Sequence, residues 1–296
     1  MAESFMIQRL FRPKEGLWFI IDRKNCACGL TDRLKAAVGL YWIACQNGLP
    51  FKFIHNAGFD IREYLVPNKV DWSANTSDIS SLPWKRNMVR YLPPFDTVPV
   101  LSPGKQYVCR RYIGKNILEI SGVPDWQRAW RESFQELLSP SMKVKDAIAS
   151  YKMPPRYRVV NIRFINSLGW NEAVSNNAPL PADIRNRLID AVLAKVAACE
   201  AESDSPVIVY SDRKEFLEAA SNSGFNTCDP DGVGHIMNPG TSDYVNLMTF
   251  VFFYQMAGAE KIYSILNMEG FPAGCLYKSQ YPRYAAILGD KPFVRI

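Results

Sequence analysis

Asn161 and Arg163 are polar residues near the end of a mostly apolar stretch, residues 157–163, whose pattern predicts a buried strand. Asn161 and Arg163 alternate with apolar neighbours, so they should point to the same face of that strand. A guanidinium at the end of a strand can bind a phosphate through two parallel hydrogen bonds. The pattern therefore predicts an anion site. The alternative is a buried arginine that is paired with an acid.

A second polar group consists of Gly29, Asp32 and Arg33. A glycine lets backbone approach a ligand closely, and Thr31 or Asp32 can cap the helix that we expect over residues 31–47. The helix dipole disfavours a cation in the first turn. Arg33 is therefore better explained by a ligand or a buried acid than by helix stability, and its alternative is a surface or interdomain ion pair.

Ser211 and Asp212 follow a third apolar run, residues 206–210. Ligands of parallel sheets bind beyond the carboxyl ends of the strands, so these two residues either line such a site or cap the helix expected over residues 213–221. Asp229-Pro-Asp231 is similar to a metal-binding Asp-x-Asp, but its Pro/Gly surroundings indicate a solvated turn.

The elements that must position these groups alternate between strand and helix in both halves of the chain. Short apolar runs are followed by amphipathic stretches in the first and the second half, which is typical of parallel α/β units. Residues 66–105 are rich in Pro, Ser, Asn and Asp and show no periodicity, as expected of binding loops. We therefore predict two Rossmann-like domains joined near residues 140–156.

Composition narrows the function classes. The 296 residues are 48% hydrophobic, which supports one large or two medium domains with real cores. The net charge of +6 comes without a basic stripe, so it suits a small anion better than nucleic acid. Cys26 and Cys28 lack a second Cys/His pair for zinc, so we expect free thiols, no metal and a cytoplasmic location. No apolar run is long enough to cross a membrane.

The strand-end groups occur in an order that resembles a known family. The matching stretches are Gly29-Leu-Thr-Asp-Arg-Leu34, Val160-Asn-Ile-Arg-Phe-Ile-Asn166 and Val209-Tyr-Ser-Asp212, with further matches at 136–140, 248–250 and 277–286. They are similar to the fucosyltransferases that include nodulation and core α1,6-fucosyltransferase and protein O-fucosyltransferase. They are more similar to bacterial fucosyltransferase-like proteins of polysaccharide gene clusters.

The resemblance implies an α/β fold of the GT-B type, with two Rossmann-like domains facing a cleft. Residues 1–150 would form an acceptor-side domain and residues 151–296 a nucleotide-sugar-binding domain. It further implies an inverting, metal-independent glycosyltransferase without a cofactor, which transfers fucose from GDP-fucose, or another sugar from its GDP-sugar, to a bacterial surface glycan. A lipid-linked acceptor would bring the protein into peripheral contact with a membrane, and no nucleic acid is expected as a partner.

The resemblance also assigns the site residues. Arg163 matches the family arginine on the donor diphosphate, with Ser211 and Asp212 near the nucleotide. Further donor contacts are expected from the residues Gly29, Asn161, Ser279 and Arg283. The catalytic candidates are Arg163 and Arg33, which would stabilise the charge of the leaving diphosphate, and Asp32, which would act as general base toward the acceptor hydroxyl.

The sequence departs from the family at three places. The family motif His-x-Arg-Arg is replaced by a stretch in which Asn161 takes the place of the histidine and Phe164 that of the second arginine. Phe252 stands where an acidic residue is expected. These departures motivate a second hypothesis, a non-catalytic nucleotide-sugar or glycan-binding protein with the same fold. A different α/β enzyme is the remaining alternative.

Overall fold

The computed structural model of the chain describes residues 15–22, 29–79, 89–91, 98–110, 113–169, 178–236 and 241–296, which form two compact units. The first unit holds the described residues up to Ser141 except residues 29–31, which belong with residues 142–296 to the second unit. The predicted domain boundary at residue 150 differs from this division by one helix, Met142–Ser150. Cys26 and Cys28 lie outside the described residues.

The first unit is built on a parallel sheet. Its described strands are β1 (Gly16–Ile21), β2 (Phe51–His55), β3 (Leu65–Pro67), β4 (Val89–Tyr91), β5 (Gln106–Cys109) and β6 (Leu138–Pro140). Four of them form a parallel sheet in the order β2-β1-β5-β4, and β3 pairs with β6 in an antiparallel ribbon. Every residue of β1 is buried, as expected for a central strand of a sheet that is covered on both faces.

Helices and short turns surround this sheet. They are α1 (Leu30–Gln46), α2 (Ile117–Ile120) and α3 (Trp126–Leu137), with 3-10 turns at Ile61–Glu63 and Thr76–Asp78. The irregular segment predicted over residues 66–105 is fixed in part by Trp72. Its indole is fully buried and donates a hydrogen bond of 2.9 Å to the carbonyl oxygen of Leu137, so this part of the segment is packed against α3.

The second unit is built on a five-stranded parallel sheet in the order β11-β10-β7-β8-β9, in which β7 is central. The strands are β7 (Arg158–Ile162), β8 (Val207–Ser211), β9 (Asn226–Thr227), β10 (Ile262–Ile265) and β11 (Phe293–Arg295). The helices are α4 (Met142–Ser150), α5 (Ala182–Glu200), α6 (Lys214–Asn222), α7 (Asp243–Gly258) and α8 (Tyr281–Gly289), with a 3-10 turn at Pro230–Gly232. The predicted alternation of strand and helix is confirmed.

Arg158 fixes the start of the central strand β7. Its buried guanidinium donates hydrogen bonds to backbone carbonyl oxygens at and beyond the end of α5, namely those of Cys199 (2.5 Å), Glu200 (3.0 Å), Ser203 (2.8 Å) and Ser205 (2.6 Å). The last carbonyl groups of a helix have no partner within the helix. Arg158 therefore satisfies the end of α5 with a charge that also complements the helix dipole.

The predicted helix caps are wrong in both units. Helix α1 begins at Leu30, so Thr31 and Asp32 lie in its first turn and do not cap it. Helix α6 begins at Lys214 with Arg213 as the N-cap residue, which makes no side-chain cap hydrogen bond. Asp212 is instead held by a tertiary contact that is described below, which overrides its local capping preference.

Candidate functional site

The carboxyl edge of the second sheet, where β7, β8, β10 and β11 end, carries most of the predicted site residues. Asn161 is buried in β7, opposite Ser264 of β10 on one side and Tyr210 of β8 on the other. Its side-chain oxygen Oδ1 has no hydrogen-bond partner within the described part of the chain. Buried polar atoms are nearly always hydrogen-bonded, so this oxygen is available to a donor group of a ligand or to water.

Arg163 follows β7 and is half-buried. Its guanidinium carbon lies 5.0 Å from the centre of the Tyr277 ring, and its carbonyl oxygen accepts a hydrogen bond of 2.7 Å from the backbone N–H of Tyr277. The Tyr277 side chain is 49% exposed. Stacking on an aromatic face orients a guanidinium, so Arg163 is held at the carboxyl edge with its side chain partly open to solvent.

Asp212 fixes the segment 163–169, which we term the β7 loop. Its two carboxylate oxygens accept hydrogen bonds of 2.8 Å from the backbone N–H groups of Phe164 and Ile165. Ile165 has a φ of 53°, in the left-handed region that β-branched residues rarely adopt. Such strain persists only where the surroundings enforce it, and it clusters at functional sites.

The residues next to Asp212 also help to hold the β7 loop in place. Arg213 donates to the carbonyl oxygens of Ile165 (3.2 Å) and Gly169 (2.6 Å) and forms an ion pair of 2.6 Å with Glu215. Ser211 is buried, and its Oγ accepts a hydrogen bond of 3.2 Å from the backbone N–H of Arg213. Asp212 and Arg213 thus hold the β7 loop through its backbone, and Ser211 supports them through the backbone N–H of Arg213.

Ser279 and Arg283 lie where α8 begins. The Oγ of Ser279 accepts a hydrogen bond of 3.2 Å from the backbone N–H of Tyr281, and its own N–H donates to the carbonyl oxygen of Tyr277 at 2.8 Å. Ser279 is therefore joined to Arg163 through Tyr277. Arg283 is half-buried in the first turn of the helix.

The candidates of the first unit have other surroundings. Arg33 is only 1% exposed, and its Nη1 lies 2.6 Å from Nε2 of His55. A guanidinium has no acceptor atom, so Nε2 accepts this hydrogen bond and Nδ1 carries the proton that it donates to the carbonyl oxygen of Phe59 at 3.1 Å. The Arg33 guanidinium also stacks over the Phe59 ring at 5.5 Å. Arg33 is therefore buried and does not lie at the surface.

This geometry makes the stability of the first unit sensitive to pH. Burial and the charge of Arg33 lower the pKa of His55 from 6.5 to about 3. The unfolded chain binds a proton below its ordinary pKa that the folded chain excludes, so stability is fully present above pH 6.5 and is lost as pH falls toward 3. We expect a loss of about 2 kcal/mol in unfolding free energy between pH 7 and pH 5, measured by urea denaturation.

A His55→Gln variant tests this prediction. It should be less stable than wild type at pH 7, but its stability should fall less between pH 7 and pH 5. Equal pH dependence in wild type and His55→Gln would contradict the tautomer and burial described here.

The last two predicted positions are Asp32 and Gly29. Asp32 forms an ion pair of 2.6 Å with Lys35 one turn along α1. Gly29 has an ordinary φ, and a Cβ atom added there would lie 3.6 Å from Nε2 of His235, a normal van der Waals distance. The expected close approach at Gly29 is therefore not imposed by its backbone conformation.

The structure identifies two residues that the sequence analysis did not single out, Tyr277 and Arg213. Tyr277 lies within the last matched stretch, residues 277–286. The only sequence signal that could have identified it is that it is an aromatic residue next to a lysine in a loop. Arg213 lies next to Asp212, but the carbonyl oxygens to which it donates lie more than 40 positions earlier in the sequence. No local sequence pattern indicates such contacts.

Neither a metal-binding group nor a membrane-spanning helix is found among the described residues. Among the described residues no group of three or more His, Cys, Asp and Glu side chains could hold a metal ion. The predicted turn at Asp229–Asp231 is confirmed, because Asp229 caps the 3-10 turn Pro230–Gly232. Asp229 also accepts hydrogen bonds from the hydroxyls of Tyr151 and Tyr244, and Asp231 pairs with Lys214 at 2.6 Å. No helix in the described ranges is both long and apolar enough to span a bilayer.

Comparison with known proteins identifies the fold. No protein-family model matches the sequence, and no curated protein sequence is significantly similar to it. A structure of NodZ α-1,6-fucosyltransferase soaked with GDP-fucose superposes with a TM-score of 0.56 at 14% identity, covering 91% of this chain and 92% of NodZ. A mutant of FUT1 from Arabidopsis thaliana in complex with GDP gives a TM-score of 0.59 at 10% identity, covering 99% of this chain and 74% of FUT1.

A further structure, fucosyltransferase NodZ from Bradyrhizobium, gives a TM-score of 0.57 at 13% identity and covers 91% of either chain. All these neighbours are fucosyltransferases, as the order of the strand-end stretches predicts. The chain therefore has the α/β, GT-B-like fold of fucosyltransferases.

Proposed function

We propose that the chain is a glycosyltransferase that transfers fucose from GDP-fucose to a hydroxyl of a bacterial surface glycan. One observation carries the proposal. At the carboxyl edge of the second sheet, the Arg163 guanidinium follows two residues after Asn161, whose Oδ1 has no hydrogen-bond partner among the described residues. Solved structures with this fold include NodZ with GDP or soaked with GDP-fucose and FUT1 with GDP. A cation and a buried acceptor at that edge suit a nucleoside diphosphate, which offers phosphate oxygens and hydroxyl or N–H donors.

The proposed reaction is a single displacement that inverts the anomeric carbon without a metal. The acceptor hydroxyl gives its proton to the predicted base Asp32, and its oxygen forms a bond to the anomeric carbon. The bond from that carbon to the β-phosphate oxygen breaks, so that GDP leaves with the bonding electrons. Negative charge develops on the diphosphate. The Arg163 guanidinium would stabilise it through charge-assisted hydrogen bonds that strengthen in the transition state.

The remaining site residues receive distinct roles in this proposal. Asp212 and Ser211 are positioning residues, because Asp212 holds the β7 loop through backbone N–H groups. Ser279 positions Tyr277, on which Arg163 stacks. Arg33 is assigned a structural role, since its guanidinium is buried against His55. Asp32 stays the predicted general base. The cytoplasmic location, the lipid-linked acceptor and the absence of a cofactor belong to the same proposal.

Isothermal titration of the full chain with GDP tests the donor assignment. We expect saturable binding of GDP at a one-to-one ratio and much weaker binding of UDP, since a base-specific site rejects an analogue that leaves its polar groups unpaired. A folded protein that binds neither GDP nor GDP-fucose would refute the proposal.

A non-catalytic nucleotide-sugar or glycan-binding protein is the second candidate, and two core contacts favour it. Phe164, in the position of the second family arginine, packs on Phe216 with ring centres 4.9 Å apart. Phe252, in the position of the expected acid, is buried against Tyr210 at 5.4 Å. Turnover decides between the two functions: steady release of GDP from GDP-fucose in the presence of an acceptor glycan excludes the non-catalytic function, whereas GDP binding without release supports it.

A further inference from the structure

Two further arginines, Arg295 and Arg283, lie at the same edge of the sheet as Arg163. Arg295 ends β11 and stands opposite Ser264 of β10, which in turn stands opposite Asn161 of β7. Directly opposite residues of neighbouring strands point to the same face. Arg295 is therefore on the face of Asn161, two strands or roughly 10 Å away along the hydrogen-bonding direction.

Part of the Arg295 guanidinium is buried without a hydrogen-bond partner among the described residues. Its Nε and Nη2 atoms are buried and make no hydrogen bond within the described part of the chain. Its side chain contacts the ring of Phe293, with 5.3 Å between the guanidinium carbon and the ring centre. Leaving buried donors of a charged group unsatisfied is costly, so this arrangement is poorly explained by folding stability alone.

Arg283 brings a second positive charge to the same place. It lies in the first turn of α8, where the helix dipole disfavours a cation. Burial lowers the pKa of the Arg295 guanidinium, and the charge of Arg283 lowers it further. An anion bound beside the two guanidiniums would be attracted by both charges and by the positive end of the helix dipole of α8.

The connections of the sheet put both residues at the carboxyl edge. Helix α8 follows the carboxyl end of β10 and leads back to β11. It therefore begins at the edge where β10 ends, and β11 returns to that edge at Arg295. This is the edge at which parallel sheets bind their ligands.

We propose that Arg295 and Arg283 form a phosphate-binding site distinct from Arg163. A phosphate group would accept hydrogen bonds from Nε and Nη2 of Arg295, the two atoms that present a fork to oxygen pairs. The phosphate has two sources, the diphosphate of the proposed GDP-sugar donor or a separate phosphorylated molecule. Only the first source rests on the proposed function.

The test is isothermal titration of wild type and Arg295→Gln with inorganic diphosphate and with GDP. We expect the variant to bind inorganic diphosphate about 10- to 100-fold more weakly, because it loses charged hydrogen bonds. Arg283→Gln should weaken binding in the same direction. The control is Arg156→Gln, which removes an exposed arginine paired with Glu260 just before β7, at the opposite edge of the sheet, and should bind as wild type does.

Thermal unfolding separates this role from a structural one. Removing an unsatisfied buried charge should leave the melting temperature of Arg295→Gln unchanged or higher in the absence of phosphate, and millimolar diphosphate should raise the melting temperature of wild type but not of this variant. Equal diphosphate affinity in wild type and Arg295→Gln would overturn the proposal, as would a destabilised variant that diphosphate still stabilises fully.

The GDP titration identifies the source of the phosphate. A parallel loss of GDP affinity in Arg295→Gln indicates the donor diphosphate. GDP affinity that is unchanged while diphosphate affinity falls indicates a separate phosphorylated ligand at the same arginines. Diphosphate binding by a wild type that does not bind GDP would support the site while refuting the proposed function, so the two failures remain distinct.

Discussion

Replacing Arg163 by alanine is expected to reduce kcat/KM for GDP-fucose by about 100- to 1000-fold, equivalent to about 3–4 kcal/mol of transition-state stabilisation. The guanidinium lies over Tyr277 at the carboxyl edge of the second sheet, where it would meet the charge of the leaving diphosphate. GDP binding should weaken less, by about 10-fold, because the charge is larger in the transition state than in the bound donor. Initial rates of GDP release and titration with GDP measure the two effects.

Two further variants separate charge from geometry. Arg163→Lys keeps the charge but loses the planar fork, so it should recover only part of the activity. Arg187 also stacks on an aromatic ring, with 5.8 Å between its guanidinium carbon and the centre of Phe271, and Arg187→Ala should keep nearly full activity. A kcat/KM that falls equally in Arg163→Ala and Arg187→Ala would argue against a donor contact at Arg163.

The Arg158→Met variant is expected to lose about 3–5 kcal/mol of unfolding free energy. Methionine fills part of the volume but donates no hydrogen bond, so the carbonyl groups of Cys199 and Ser205 are left buried with one donor fewer. Arg158→Lys should recover part of the loss, since an ammonium group supplies three donors without the planar geometry. Urea denaturation at pH 7 measures the difference.

Arg156 offers a control only two residues away. Its side chain is 76% exposed and pairs with Glu260 at 2.5 Å, and exposed ion pairs contribute little to stability. Arg156→Met should therefore change the unfolding midpoint only slightly. Equal unfolding free energies of Arg156→Met and Arg158→Met would contradict the prediction that the hydrogen bonds from Arg158 to the end of α5 stabilise the fold.

Residues within regular elements were predictable because their pattern is local. Asn161 and Arg163 were found as polar residues in a period-two apolar run, and both lie on or directly after β7. The parallel sheet followed from the alternation of strand and helix. The strand β11 was missed because three residues, Phe293–Arg295, are too few to show a period.

Partners that are distant in the sequence could not be predicted. Asp212 has the local signature of a helix cap, yet it binds the backbone N–H groups of Phe164 and Ile165, nearly 50 positions earlier. Arg33 has the signature of an anion ligand in a first helical turn, yet it is buried against His55. In each case the local sequence is compatible with two environments of the side chain, and a partner distant in the sequence determines which one is adopted. The sequence pattern does not indicate that partner.

The Asp212 contact also changes how the chain should open. A loop after a strand usually exchanges its amide hydrogens quickly, because water is its hydrogen-bond partner. The amides of Phe164 and Ile165 donate instead to a carboxylate at the end of β8, and Arg213 holds the carbonyl oxygens of Ile165 and Gly169. The loop that carries Arg163 is thereby coupled to the sheet as one cooperative opening unit, so slow hydrogen exchange should extend past the end of β7.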